Sequence, residues 1–378
     1  MKQDAFRKLI SGRKKGLTAS FLRCLLGFAS IFYLLAVKLR NFLYNKGLLK
    51  IHRVNAPVIS IGNITTGGTG KTPLVIWLAN MLSRMDLKCF VLTRGYKQGK
   101  GDKVQGTSTD EPAIISQSCP QGEVIVNPDR FAAASKVLSE NKSAIENRFS
   151  KVAFVMDDGF QHRQLSRDLD ILTIDATCPF GFGKLLPAGL LREPLNAVKR
   201  ADAIVLTRTD LVSKSELAQI EEKIKALAAN PDILIAKSNH FPVCAKTSDE
   251  TEIGLDEIGN KKVFAFCGIG NPESFFDTIK ICGCKLVGTK IYDDHHKYSK
   301  GDIAEIYDYA AQLNADLILT TQKDFTKCSF DLQKQKIKLA FLLIELRFIV
   351  GQDKLRNLIN NTLTGKISQI QNGQNKGF

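Results

Sequence analysis

GNITTGGTGKT, residues 62–72, is the stretch on which the reading of this chain turns. It has the look of a phosphate-binding loop, yet it departs from the G-x-x-x-x-G-K-[ST] rule: the position that calls for the first glycine holds Thr65. Such a loop needs a strand before it, a helix after it, glycines that let backbone N–H groups face phosphate, and then a lysine and a hydroxyl. PVISIG (57–62) is a short β-rich apolar run, and residues 72–84 carry a helical period. Gly67, Gly68 and Gly70, with Thr69 between them, supply the backbone freedom. Lys71 is placed to reach β- and γ-phosphates, and Thr72 to hold Mg²⁺ at the positive end of the helix. A chance glycine-rich turn is the bland reading; the strand–loop–helix context argues against it.

A second signal lies downstream. VAFVMDDG (152–159) is an apolar strand ending in Asp157 and Asp158. An acid at that place serves Mg²⁺ directly or through water, although many buried strands end in Asp. Paired with the loop it implies a Mg²⁺–nucleotide site, and the residues alone leave open which Asp touches the metal.

Around these motifs the pattern alternates. KCFVLTRGY (88–96), EVIVN (123–127), KVAFVMDDG (151–159), DILTID (170–175) and DAIVLTRTD (202–210) read as strands, and the Ala-rich stretch 130–139 as a helix. Continuous apolar strands separated by helices mean a parallel sheet covered on both faces. The spacing predicts an α/β fold: a P-loop NTPase-like doubly wound parallel sheet over 54–225. A second, smaller α/β domain is expected over 226–364, with strands near 233, 262, 284, 315 and 339, and a frayed polar tail over 365–378.

The net charge of +15 is concentrated at one end. Residues 1–53 hold twelve Lys or Arg against one acid, Asp4, so most of the excess lies there. Inside that segment CLLGFASIFYLLAV (24–37) carries no charge. It is shorter than the roughly 20 apolar residues of a spanning helix, unless it extends back through Arg23 to Leu17. Three readings compete: a helix lying in the interface of an anionic membrane surface, a single span, and a core helix. The cations on both flanks favour the first, and the segment is expected to associate with membrane. A nucleic-acid surface would not need the apolar run, so no nucleic acid is expected. Nine scattered cysteines with no C-x-x-C pair fit a reducing compartment. Nothing in the sequence asks for an obligate protein partner.

Transfer chemistry needs an acceptor site and a general base, whereas hydrolysis needs only water. TDEP (109–112), NPDR (127–130), DDGFQHRQL (157–165), LLPAGLLREPL (185–195), GIGNPESFF (268–276) and DDHHKYS (293–299) are dense in capable side chains. In this order, with GGTGKT, RGY and TQKD, they make the chain resemble the tetraacyldisaccharide 4′-kinase family, the lipid A 4′-kinases of Gram-negative bacteria, from about residue 15 to about residue 350. The resemblance implies ATP-dependent phosphorylation of the 4′-hydroxyl of tetraacyldisaccharide 1-phosphate, with the lipid as partner. It also implies attachment to the cytosolic face of the inner membrane.

The family's residues carry over one by one. Lys71 and Thr72 match its phosphate-loop pair, and Asp157 and Asp158 its strand-end acids. Asp110 matches the carboxylate regarded as the base, with Glu111 beside it. His295 matches the histidine that supports that base. Arg130, Gln161, His162, Arg192 and Glu193 match polar residues lining the substrate cleft. Read from residues alone, Asp110 would pass for a turn or cap residue, and His295 could not be chosen over His296. Leu190 stands where the family usually has Pro, no Gly follows Tyr96, and Thr109 replaces the Gly that often precedes the acid. The rival class is a membrane-associated P-loop switch ATPase of the positioning type. Such a protein would need neither DDHHKYS nor LLPAGLLREPL, and Thr66 stands where its signature lysine would be. A third reading, a scaffold with a dead nucleotide site, is disfavoured by intact Lys71, Thr72 and Asp158.

Overall fold

The structure is a computed structural model describing residues 3–85, 87–95, 110–141, 151–294, 296–328 and 336–374. By internal packing it divides into two units: residues 8–239 with 348–378, and residues 1–7 with 240–347. The alternation in sequence placed the division near residue 226; the packing places it inside a strand, and the chain crosses back inside another.

The chain opens with helix α1 (Gln3–Ile10), within which the division after residue 7 falls; the first unit then holds α2 (Leu17–Asn45), β1 (Val58–Gly62), α3 (Lys71–Arg84), β2 (Leu87–Thr93), α4 (Asp110–Ser118), β3 (Glu123–Val126), α5 (Arg130–Glu140), β4 (Lys151–Asp157), β5 (Leu169–Asp175), β6 (Ala203–Thr207), α6 (Lys214–Leu227) and the start of β7 (Leu234–Thr247). Its strands pair in parallel in the order β7-β6-β5-β1-β4-β2-β3. All five residues of β1 and all seven of β5 are buried, as expected of strands covered on both faces. α3 turns Leu74, Val75, Leu78, Ala79 and Leu82 inward at helical spacing. Phe90, Phe154 and Met156 fill one side of the sheet, and Leu172, Ile204 and Leu206 belong to the other main cluster. The expected doubly wound parallel sheet is the observed one.

The second unit carries β8 (Glu252–Gly254), antiparallel to the end of β7, then β9 (Lys262–Cys267), α7 (Pro272–Ile281), β10 (Lys285–Ile291), α8 (Lys300–Gln312), β11 (Leu317–Thr321) and β12 (Lys338–Val350). The last strands pair in parallel as β10-β9-β11-β12. Ala265, Cys267, Phe275, Ile279 and Leu319 form its core.

α9 (Gln352–Gln374) returns to the first unit and corrects the expected frayed tail: residues 365–374 are helical. Leu355, Ile359 and Leu363 are buried at i, i+4, i+8, and Lys366 reaches Asp168 at 3.0 Å. A helix already docked by its first half continues through polar sequence that has little helical drive alone. All nine cysteines are free thiols.

Candidate active site

β1 and β4 lie side by side with Ile61 opposite Asp157. The first strand therefore releases the glycine loop one residue beyond the point where the second delivers its acid. This is the carboxyl edge of a parallel sheet, where ligands of such folds bind. Gly70 ends the loop as the N-cap of α3 with φ +80°, and Gly67 has φ +112°; both conformations favour glycine. No side chain caps the helix and its first turn holds no acid. Pro73 occupies the first turn, where a missing N–H costs nothing. A helix start with uncapped donors is built for an anion.

The missing first glycine has a structural answer. Thr65 pairs with Leu191 in an antiparallel bridge. Thr66 N–H donates to Leu190 O at 2.7 Å and Arg192 N–H to Ile64 O at 2.7 Å. The segment 185–192 thus braces the loop from outside as a miniature strand, where Thr costs nothing. Leu190 N–H donates to Gly181 O at 2.9 Å, a bond that the family's usual proline could not make. Behind the loop Asn63 donates to Thr69 Oγ1 at 2.9 Å, Thr69 meets Thr173 at 2.9 Å, and Gln161 donates to Asn63 O at 2.8 Å.

Asp157 and Asp158 separate cleanly. Asp158 has φ +49°, a turn conformation that Asp tolerates, and its carboxylate is part-exposed. Arg192 Nη1 reaches both its oxygens, at 3.0 and 2.8 Å, and Lys71 Nζ stands 3.4 Å away. Burial alone would raise its pKa, but Lys71 and Arg192 outweigh burial and hold the carboxyl well below the usual range. Asp157 is buried, 3% exposed. Burial first, then the charges of Glu111 and Asp158, push it up to about 7 against the pull of Lys71 and Arg130. Arg130 is buried and donates to Asp157 O at 2.6 Å. His162 is pushed down to about 4 by burial and by Arg130 and Arg167.

Of the expected residues, the structure gathers Lys71, Asp157, Asp158, Arg130, Arg192 and the charge of Glu111 at this edge, with Gln161 beneath the loop. Glu193 is different. Its side chain has 0% exposure, Arg40 reaches Oε1 at 2.9 Å and Arg200 reaches Oε2 at 2.7 Å. A carboxylate with no exposed surface and two guanidinium partners has no free face for a substrate; Glu193 is a docking post for α2. Asp110 is the first residue of α4, and only its backbone lies among the described features; His295 lies outside the described residues. His296 stacks on Tyr292 at 4.6 Å and meets Asp302 Oδ2 at 3.2 Å, so it is occupied in organising its own unit. In the same unit Lys323 meets Asp294 at 3.5 Å and the buried Asp324 accepts from Gly268 N–H at 2.9 Å, which gives TQKD a part in shaping the DDHH turn.

α2 is no core helix. Ser30, Tyr33, Arg40 and Asn41 bond to Leu185 O, Arg192 O and Glu193. Phe21, Leu25, Phe28, Phe32, Leu35 and Leu39 on the other stripe are each more than half exposed. By length and composition Leu17–Asn45 is sufficient to cross a membrane, and 6% of its apolar window is buried.

The sequence profile described as tetraacyldisaccharide-1-P 4′-kinase matches residues 22–364. The chain belongs to the tetraacyldisaccharide 4′-kinase family. A tetraacyldisaccharide 4′-kinase of Halothermothrix orenii is 36% identical over 345 residues, 87% of this chain and 89% of its own. One from Syntrophus aciditrophicus is 36% identical over 84% of this chain and 87% of its own. A crystal structure described as the "apo" form of LpxK from Aquifex aeolicus in complex with ATP aligns with TM-score 0.66 and 30% identity, over 90% of this chain and 99% of that one. Family membership makes the chain an ATP-using phosphotransferase with a hydroxyl acceptor.

Sequence reasoning passed over Arg208, Thr173 and Thr207, which stand directly behind the glycine loop. The signal was faint: each sits at the carboxyl end of an apolar strand, where this sheet keeps its site.

Proposed function

We propose that this chain transfers the γ-phosphoryl group of ATP to the 4′-hydroxyl of a tetraacyldisaccharide 1-phosphate, in lipid A biosynthesis, at the cytosolic face of the inner membrane of a Gram-negative bacterium. The observation that carries this reading is the meeting of Lys71, Asp157 and Asp158 beside an open glycine loop, in a chain whose family match takes in both units. The switch-ATPase alternative leaves the second unit without a role.

The residues fit Mg²⁺–ATP. A side chain added at Gly67 or Gly68 would meet nothing within 4 Å, so the backbone there is not covered by neighbouring atoms. Asp157 and Asp158 place two acids at one strand end, with the charge of Glu111 close to Asp157. Mg²⁺ takes one or two carboxylates and keeps water and phosphate for its other positions. Thr72, Asp157 and Asp158 would hold it, and once bound it neutralises charge on the phosphate oxygens. Gly67 to Thr72 cradle the phosphates through backbone N–H groups. Lys71, steered by Asp158, neutralises developing charge. Asp110 takes the proton of the acceptor hydroxyl, with His295 in support. Arg130, Gln161, His162, Arg192 and Glu111 shape the acceptor side, and Glu193 leaves that set.

α2 supports attachment in the membrane plane. One stripe is tied to the nucleotide unit while the opposite stripe is bare and apolar, the pattern of an interfacial helix. Lys and Arg around it suit anionic headgroups, at about 1 kcal/mol each near the surface. An amphipathic acceptor held in the bilayer would then meet its enzyme at the interface.

The test is label transfer from γ-labelled ATP and Mg²⁺ to tetraacyldisaccharide 1-phosphate in detergent, for the wild type, Lys71→Ala and Asp110→Ala. Labelled lipid from the wild type alone supports the assignment. Labelled lipid from Asp110→Ala as well discards the base. Free phosphate alone, indifferent to lipid, overturns the kinase reading.

A further inference from the structure

We infer that Arg208, with Thr207 beside it, is a positioning residue for the nucleotide: it fixes the carbonyl side of the glycine loop so that the loop's N–H side stands ready for phosphate before ATP arrives. The inference rests on the nucleotide half of the proposed function.

Thr207 ends β6 and Arg208 directly follows it, two strands from β1 across β5. Arg208 Nη1 donates to Gly68 O at 2.8 Å, and Thr207 Oγ1 to Thr69 O at 3.0 Å. Two consecutive loop carbonyls are therefore held from one direction. In a planar trans peptide C=O and N–H point oppositely. Holding Thr69 O toward Thr207 turns the N–H of Gly70, the residue before Lys71, the other way. A carbonyl flipped toward phosphate would set its partial negative charge against the ligand, and flipping is the motion that a glycine-rich loop resists least.

The brace is stiff. Arg208 is 8% exposed and Thr207 is fully buried. Arg208 has φ +56°, a conformation that a long side chain adopts only when its surroundings enforce it. The enforcing partner is Asp175, which accepts from the same Nη1 at 2.5 Å. Asp175 is itself fixed by Thr177, whose N–H and hydroxyl reach its Oδ1 at 3.0 and 2.7 Å. Position passes from the turn after β5 through Asp175 and Arg208 to Gly68. One Nη1 with two N–H groups serves the carboxylate and the carbonyl together, and the planar guanidinium fixes both directions where a lysine ammonium would rotate freely. This brace on Gly68 and Thr69, with the 185–192 segment on Ile64 to Thr66, is what a loop lacking its first glycine uses to hold shape.

The test is ATP affinity, read by displacement of a fluorescent ATP analogue with no lipid present, alongside kcat and KM for both substrates. Arg208→Ala is expected to weaken ATP binding roughly 10- to 100-fold, leave the lipid KM within about twofold, and lower kcat less than the ATP term. Arg208→Lys is expected to recover part of the loss. Thr207→Val, nearly isosteric and uncharged, is expected to weaken ATP roughly 3- to 10-fold and keeps the question answerable should Arg208→Ala fail to fold. ATP affinity within twofold of wild type in Thr207→Val and in whichever Arg208 variant folds would overturn the inference. So would losses that follow a lowered melting temperature and vanish on cooling. Because the binding arm contains no lipid, a wild type that binds ATP but phosphorylates none would sink the kinase reading and leave this result standing.

Discussion

Glu193 was expected in the substrate cleft and is found buried, so replacing it separates a structural role from a binding one. In Glu193→Ala, Arg40 and Arg200 lose a carboxylate with 0% exposure, and Asn41 loses its 3.3 Å bond to the same group. Breaking a buried pair from one side costs about 3–5 kcal/mol, because the remaining charge is left unpaired. Here the arginine side chains are 36% and 23% exposed, so water restores part of their solvation and the low end, about 3 kcal/mol, is expected. At about 2–4 °C per kcal/mol for a unit of this size, the melting temperature should fall by about 6–12 °C. Glu193→Gln, which keeps the shape and one acceptor, should lose less. Thermal unfolding by circular dichroism reads the stability, and initial rates against lipid concentration at 20 °C read the binding. The expected outcome is a large thermal shift with the lipid KM nearly unchanged at low temperature. An unchanged melting temperature with a strongly raised lipid KM would refute the structural assignment and return Glu193 to the cleft.

Glycine positions give a matched contrast. A Cβ at Gly62 would lie 2.6 Å from Phe160 Cβ and N, so Gly62→Ala should leave little soluble protein; Gly68→Ala meets open space and should fold normally while losing ATP affinity about tenfold or more, as calorimetry with and without ATP would show. His162 predicts a pH signature. Its folded pKa of about 4 lies below the ordinary 6.5, depressed by burial, Arg130, Arg167 and Arg94 against the opposing charge of Asp129. The unfolded chain therefore gains the proton first, and stability falls as pH drops from 6.5 towards 4, by about 1–2 kcal/mol once the ring's exposure to solvent is discounted. Urea midpoints at pH 7 and pH 5 should fall more for the wild type than for His162→Gln, and equal falls would contradict the assignment. For the membrane helix, Phe28→Glu with Phe32→Glu on the bare stripe should abolish flotation with anionic vesicles and leave ATP binding intact; undiminished flotation would place the contact elsewhere.

Much of the nucleotide site was legible because its chemistry is local. A strand, three glycines, a lysine and a threonine follow one another in the chain, so GGTGKT announces its geometry before folding. The parallel sheet was legible for a similar reason: strands buried on both faces read as near-continuous apolar runs, as 152–156 and 203–206 do. The same logic misjudged the chain's end. Residues 365–374 read as a polar tail because the reason for their helix is Leu355, Ile359 and Leu363 packing earlier in α9 and Lys366 on Asp168.

What the sequence determined by itself is therefore periodicity and short-range chemistry: the fold class, the phosphate loop, the paired acids, the basic apolar end and the family. What only the tertiary structure decided is which polar residues face each other across distant segments. Arg192 and Glu193 are neighbours in LLPAGLLREPL, yet one reaches Asp158 and the other is sealed beneath α2 by Arg40 and Arg200. Thr65 in place of glycine looked like a defect until Leu191 was found beside it, and Arg208 looked like a strand end until Gly68 was found within its reach. A one-dimensional pattern fixes which face of an element is apolar. The partner of a buried charge depends on where a second element, scores of residues away, comes to rest, and that is set by packing the whole sheet.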